Sequence, residues 1–258
     1  MHIPTLAELQ SLPLTDALKG KVILITGAGD GLGKAAALDF SAQGADVILL
    51  GRNQAKLEAT YDEIEALNQS RPIIFPYDLN TLIPDVAREM AFAIEQEFGR
   101  LDGLLLNAAA LGSKMSIAQY PEQQWLDVIN TNLNSSFYLT KAMLPLLEAS
   151  SAGRLVFTTS SVGRQGRAYW GAYGVSKFAT EGLMQTLAAE LGATSAIRTF
   201  AINPGATRTA MRASAYPGED PESVPTAAAH MPLYRFLMSD AASAYNGQSI
   251  NAHTYLAD

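Results

Sequence analysis

The chain has 258 residues, 48% of them hydrophobic, enough to bury the core of one sizeable α/β domain. It contains no cysteine, which excludes a disulfide framework, a thiolate metal cluster and a cysteine nucleophile. Its 18 Lys and Arg against 25 Asp and Glu give a formal charge of −7, the wrong sign for a surface that neutralises nucleic-acid phosphates.

The first twenty residues, MHIPTLAELQSLPLTDALKG, carry no basic region followed by an apolar leader, and no uncharged apolar run reaches membrane-spanning length. A soluble, cytoplasmic protein is expected, with residues 1–19 as an N-terminal arm. Along the chain, near-continuous apolar runs predict strands at 21–26 (KVILIT), 45–50 (ADVILL), 72–77 (PIIFPY), 101–106 (LDGLLL), 153–159 (GRLVFTT) and 196–202 (AIRTFAI). Helix-period segments lie between them, and Gly44 and Gly99 stand where helix C-caps are expected. This alternation predicts a doubly wound, mostly parallel sheet with helices on both faces, in a single domain spanning 1–258. The one shift in composition is AYPGEDPESVPT, 215–226.

Between the first strand and the first helix stands ITGAGDGLGKAAALDF, 25–40, where backbone N–H groups and the helix dipole favour an anion. The G-x-G-x-x-G spacing fails: counted from Gly27 it ends on Leu32, and from Gly29 on Lys34. The spacing that fits is T-G-x-x-x-G-x-G, on Thr26, Gly27, Gly31 and Gly33. A glycine turn directly after an N-terminal strand predicts a dinucleotide site. At the end of the second strand, ILLGRN places Gly51 where an acidic residue would meet the ribose 2′-OH of NAD, and Arg52 follows it. A guanidinium suits a 2′-phosphate, so NADP(H) is the favoured cofactor. Asp30 stands before the middle glycine in place of a basic residue, which keeps NAD(H) as the alternative.

Tyr173 and Lys177 lie four residues apart on a predicted helix, hence on one face. A free tyrosine titrates near ~10, and an ammonium ~4 Å away lowers such a pKa by the roughly three units that proton transfer at pH 7 requires. Upstream, Thr158 to Ser161 end a strand with hydroxyls that suit a substrate oxygen. Only one of Ser160 and Ser161 can face the site, because strand side chains alternate.

These residues resemble the short-chain dehydrogenase/reductase family over nearly the whole chain. TGAGDGLG resembles its cofactor loop, with Asp30 and Leu32 between the glycines, and YDLN its adenine-contacting segment at Asp78 and Leu79. LNAAA resembles its Asn-Ala-Gly turn at Asn107, although Leu106 and Ala109 depart from the pattern. INPGATRT resembles its nicotinamide segment, at Pro204, Gly205, Thr207 and Thr209. VINTNLNSSF places the family's catalytic asparagine on Asn132.

The resemblance implies an NAD(P)-dependent, single-domain Rossmann oxidoreductase interconverting a carbonyl and an alcohol. Tyr173 would be general acid and base, and Lys177 would lower its pKa and hold the nicotinamide ribose. Ser160, thirteen residues before the tyrosine as in the family, would orient the substrate oxygen, with Ser161 as the alternative. Asn132 would hold a helix bend and a water linking Lys177 to solvent. Residues 209–232 resemble a mobile substrate loop, and the helices near 121–150 and 172–192 would pair subunits in a homodimer or homotetramer.

Trp170, Met211, Tyr169 and Tyr216 are candidate pocket residues without an assigned role, and Arg164 and Arg167 are read as loop residues. His2, His230 and His253 share no metal-ligand spacing, so no metal is expected. A redox sensor without turnover and a sugar-nucleotide epimerase or dehydratase remain the other readings.

Overall fold

A computed structural model of the chain describes residues 9, 16–67 and 70–252. His2, His253 and most of the expected N-terminal arm lie outside the described residues. Seven strands form one sheet in the order β3-β2-β1-β4-β5-β6-β7, every neighbouring pair parallel. They are β1 (Val22–Thr26), β2 (Asp46–Gly51), β3 (Ile73–Pro76), β4 (Gly103–Leu106), β5 (Arg154–Thr158), β6 (Arg198–Asn203) and β7 (Ser249–Asn251). The first six fall within or beside the apolar runs of the sequence.

Such runs are apolar throughout because alternate side chains enter two different cores. On one face Ile23, Ile25, Val47, Leu49, Val156 and Phe200 pack with Ala36, Ala37 and Phe40 of α1 (Gly31–Ala42) and with Leu233, Phe236 and Leu237 of α8 (Met231–Met238). On the other, Val22, Leu24, Ile48, Leu50, Leu104 and Phe157 meet α3 (Pro84–Phe98), α5 (Ser135–Glu148) and α6 (Gly171–Leu191). The remaining helices are α2 (Gln54–Glu65), α4 (Glu122–Ile129) and the short α7 (Ala210–Ala215). Gly99 caps α3 with φ 72°, and Gly44 follows the C-cap of α1.

Strand order reverses between β1 and β4, where consecutive crossovers leave toward opposite edges. In a doubly wound sheet the crevice outside the strand ends at that point is where ligands bind.

Candidate active site

One cleft of about 520 Å³ opens there, floored by the residues that follow the strands: Gly27, Gly51, Tyr77, Asn107, Thr159 and Pro204. Every residue expected to bind cofactor lines it except Gly33, and three of the four expected catalytic residues line it, the exception being Asn132.

The glycine turn forms the nucleotide end. Asp30 caps α1, its carboxylate accepting from Gly31 N at 2.7 Å, while the next amides of the first turn have no acceptor within the helix. Gly31 has φ +52°, and a Cβ on it would stand 3.2 Å from Thr209 Cγ2 across the cleft. Gly33 is not on the cleft lining; a Cβ there would come within 2.2 Å of Gly27 O, so the close packing of helix on strand requires a glycine at this position.

Thr26 ties this turn to the next. Its hydroxyl accepts from Asn107 N and Ala108 N, both at 2.9 Å. Asn107 Nδ2 donates to Thr26 O, and Asn107 Oδ1 accepts from Thr158 Oγ1. Asp78 lines the wall and accepts from Asn80 N at 3.0 Å. Gly205 N donates to Asn203 Oδ1, and Thr209 caps α7 by accepting from Arg212 N. Thr207 is bonded through its hydroxyl to Nε2 of buried His230 at 3.0 Å.

Tyr173 and Lys177 share the cleft-facing side of α6 and are 8% and 4% exposed. Burial pushes the Tyr173 phenol up to about 12, with a hydrogen bond from Ser160 acting in the opposite direction. Burial brings Lys177 down to about 8, partly opposed by the charge of Glu181. Lys177 Nζ donates to Thr158 O at 2.7 Å and lies 5.6 Å from the centre of the Tyr173 ring. The sequence reading made the lysine the group that sets the phenol's pKa. In this structure the dominant influence is desolvation, because helical spacing fixes which face the pair occupies and not how deep it lies.

Ser160 lines the cleft and reaches Tyr173, whereas Ser161 begins a turn behind it. Between the two serines, the geometry favours Ser160. Asn132 sits in a π-helical turn, Asn130–Asn134, joining α4 to α5. Its side chain accepts from Ala110 N at 2.7 Å and donates to Ala110 O and to Ser176 Oγ at 3.0 and 2.9 Å. The helix is interrupted there by the π-helical turn, and the side chain itself faces the segment after β4 and α6.

At the far end, Trp170 packs 5.6 Å from Tyr173 and 6.3 Å from Tyr216, centre to centre, with Met211 beside them. Tyr169 is 62% exposed. Arg164 bonds Glu181, Ser249 and Asn251 rather than the cleft. Sequence reasoning missed Lys56 and Asn53, and it included Thr159 only within the run of strand-end hydroxyls; all three are on the cleft wall. Thr159 Oγ1 is buried there without a partner, a donor and acceptor for a bound group. Together with the glycine cradle, this orphaned hydroxyl makes the residues present fit a dinucleotide. Among the described residues no cluster of His, Asp and Glu suits a metal, and no helix is long and apolar enough to cross a membrane.

Fold and cleft together define an oxidoreductase of the doubly wound, nucleotide-binding class. Residues 21–220 match the family model for short chain dehydrogenases, and the chain belongs to that family. It is 48% identical over 240 residues to the uncharacterized oxidoreductase YciK of Escherichia coli K12, covering 93% of this chain and 94% of that protein. A short chain dehydrogenase of Pseudomonas syringae is 50% identical and superposes with a TM-score of 0.90, covering 92% of this chain and 96% of that one. Another, from Shigella flexneri 2a and crystallised with NADP, is 48% identical with a TM-score of 0.90, covering 93% and 99%.

Proposed function

We propose that the chain interconverts a carbonyl and an alcohol with NADP(H), Tyr173 serving as the acid in reduction and the base in oxidation. The observation that carries this reading is the Tyr173 phenol, buried in the cleft wall against Ser160 and held protonated far above neutral pH. A protonated phenol is the form that reduction needs.

NADP(H) is supported by Gly51 in the place of an acidic residue, by Arg52 beside it on the cleft wall, and by the NADP bound to the Shigella flexneri relative. The bound nicotinamide supplies or accepts the hydride. The glycine turn, Asp78, Leu79, Asn107, Lys177 and the Pro204–Thr209 segment are the residues that would hold the cofactor. Ser160 hydrogen-bonds the substrate oxygen and Tyr173 gives it the phenolic proton, or takes it in the reverse direction. The Lys177 ammonium, anchored on the Thr158 carbonyl, stabilises the phenolate that results. Asn132 positions this group by fixing Ala110 and Ser176.

Residues 209–232 would form the substrate loop of the single domain, with Trp170, Met211 and Tyr216 as its apolar wall. Leu126, Phe137, Val175 and Phe178, each 45–51% exposed on α4, α5 and α6, support pairing of those helices in a homodimer or homotetramer. The same reading places the enzyme in the cytoplasm, where reduced nicotinamide cofactor is available.

The test is NADPH consumption across a panel of aldehydes and ketones by wild type and Tyr173→Phe, with cofactor affinity read by fluorescence. Turnover that falls roughly 10²–10⁴-fold in the variant at unchanged NADPH affinity supports the reading. NADPH binding without turnover of any carbonyl supports a sensor instead, and failure to bind either dinucleotide overturns the dehydrogenase reading.

A further inference from the structure

The structure supplies, from a different helix, the positive charge that the glycine turn itself lacks. Asp30 stands at the mouth of the turn, where its carboxylate would repel a phosphate. Lys56, from the first turn of α2, reaches across and closes an ion pair with Asp30 Oδ2. The two segments are in close register: a Cβ on Gly29 would lie 2.9 Å from Lys56 Cβ and 3.3 Å from its carbonyl carbon. Asn53 fixes the base of this lysine by accepting from Lys56 N at 3.0 Å. Arg52, Asn53 and Lys56 all line the nucleotide end of the cleft. Nearby, Lys34 pairs with Glu63 at 2.7 Å and does not line the cleft, so it is not the cation on offer.

We infer that Lys56 is a specificity-determining residue for the 2′-phosphate of the cofactor, held ready by Asp30 and acting with Arg52. An exposed pair of this kind contributes little to stability, and both side chains are 53% exposed. A phosphate dianion is a stronger competitor for an ammonium than one screened carboxylate is. Lys56 therefore cancels Asp30 when no phosphate is present and turns to the phosphate when one arrives. NADH, which lacks that group, leaves the pair undisturbed. The inference rests on the NADP(H) reading given above.

The experiment titrates NADPH and NADH by fluorescence, and adenosine 2′,5′-bisphosphate and 5′-AMP by calorimetry, into wild type, Lys56→Gln, Lys56→Arg and Asp30→Asn. Loss of one charge-assisted phosphate contact predicts about tenfold weaker binding of NADPH and of the bisphosphate to Lys56→Gln, and less than twofold change for NADH and 5′-AMP. Lys56→Arg retains the preference for the ligands that carry a 2′-phosphate. Asp30→Asn, which releases the lysine, tightens NADPH several-fold more than it tightens NADH. The ligands without a 2′-phosphate, NADH and 5′-AMP, report whether each variant keeps its folded cleft. Equal losses for both cofactors, or none in Lys56→Gln, overturn the inference while leaving an NADPH-preferring wild type intact. A wild type that binds neither dinucleotide overturns the functional reading and this inference with it.

Discussion

Asn132 and Ala110 are paired as two residues of neighbouring strands would be, except that one partner is a side chain: a single amide both accepts from Ala110 N and donates to Ala110 O. The π-helical turn makes this reach available, because an extra residue in the helix redirects the side chain. Replacing Asn132 by Ala leaves two part-buried backbone groups without their partner and removes the donor to the Ser176 hydroxyl. That is expected to cost roughly 2–4 kcal/mol and lower Tm by roughly 5–10 °C. Turnover should fall more than NADPH affinity does, since Ser176 also bonds Tyr173 O at 2.8 Å. Thermal melts and steady-state kinetics on the same preparation check both effects.

Gly33 gives a sharper test of packing. An added Cβ would meet the Gly27 carbonyl, which is backbone and cannot rotate away. Gly33→Ala is expected to destabilise by about 3 kcal/mol and to weaken both dinucleotides together. Gly182→Ala, on α6 with open space around its Cα, should be neutral or slightly stabilising. Urea midpoints of the two variants separate steric conflict from loss of a glycine as such.

His230 sets an expected acid sensitivity. Burial lowers its pKa from 6.5 to about 4, so below pH 6.5 the unfolded chain binds a proton that the native state refuses. Stability should therefore fall as pH drops through 6.5 toward 4, by about 2 kcal/mol between pH 7 and 5 from this residue. His230→Gln should show a shallower loss over that window, read from urea unfolding at the two pH values. An identical pH dependence in both proteins would remove His230 as the cause.

Lys114 bridges three segments at the rim of the cleft. Its ammonium donates to Ala215 O at 3.0 Å and lies 4.3 Å from the Tyr216 ring centre and 4.9 Å from that of Trp170. Lys114→Met keeps the stem and removes the charge, a loss of roughly 1–2 kcal/mol from the contacts that fasten residues 209–216. Faster trypsin cleavage at Arg212 and a several-fold rise in substrate KM at little changed kcat are the expected outcomes. Unchanged proteolysis would show that the Arg212–Glu219 pair, at 2.5 and 2.6 Å, is enough to hold this segment.

The strands and the glycine turn were legible because both are local: a strand covered on two faces must be apolar at every position, and a helix beginning beneath a ligand must lack side chains. The three residues of β7 gave no such pattern. Distance in sequence hid the rest. Lys56 stands 26 positions from Asp30 on the polar side of a helix, where a lysine needs no explanation. The depth at which Tyr173 is buried depends on Tyr120 and Val162 of other segments, so its spacing to Lys177 did not reveal what governs its proton. Gly33 was read from the motif alone, and the motif did not show that a neighbouring carbonyl leaves no room for a side chain there.

The reversal of strand order between β1 and β4 has an experimental use. Most candidate nucleotide contacts precede Ala110, while Ser160, Tyr173, Lys177 and the aromatic rim come after it. A library randomised only in the first 110 positions should therefore yield variants sorted by what they hold, and one randomised only afterwards, with Lys177 and residues 204–209 kept, should yield variants sorted by what they transform. The chain can in this way exchange its electron currency and its clientele separately, through mutations that do not need to arise together.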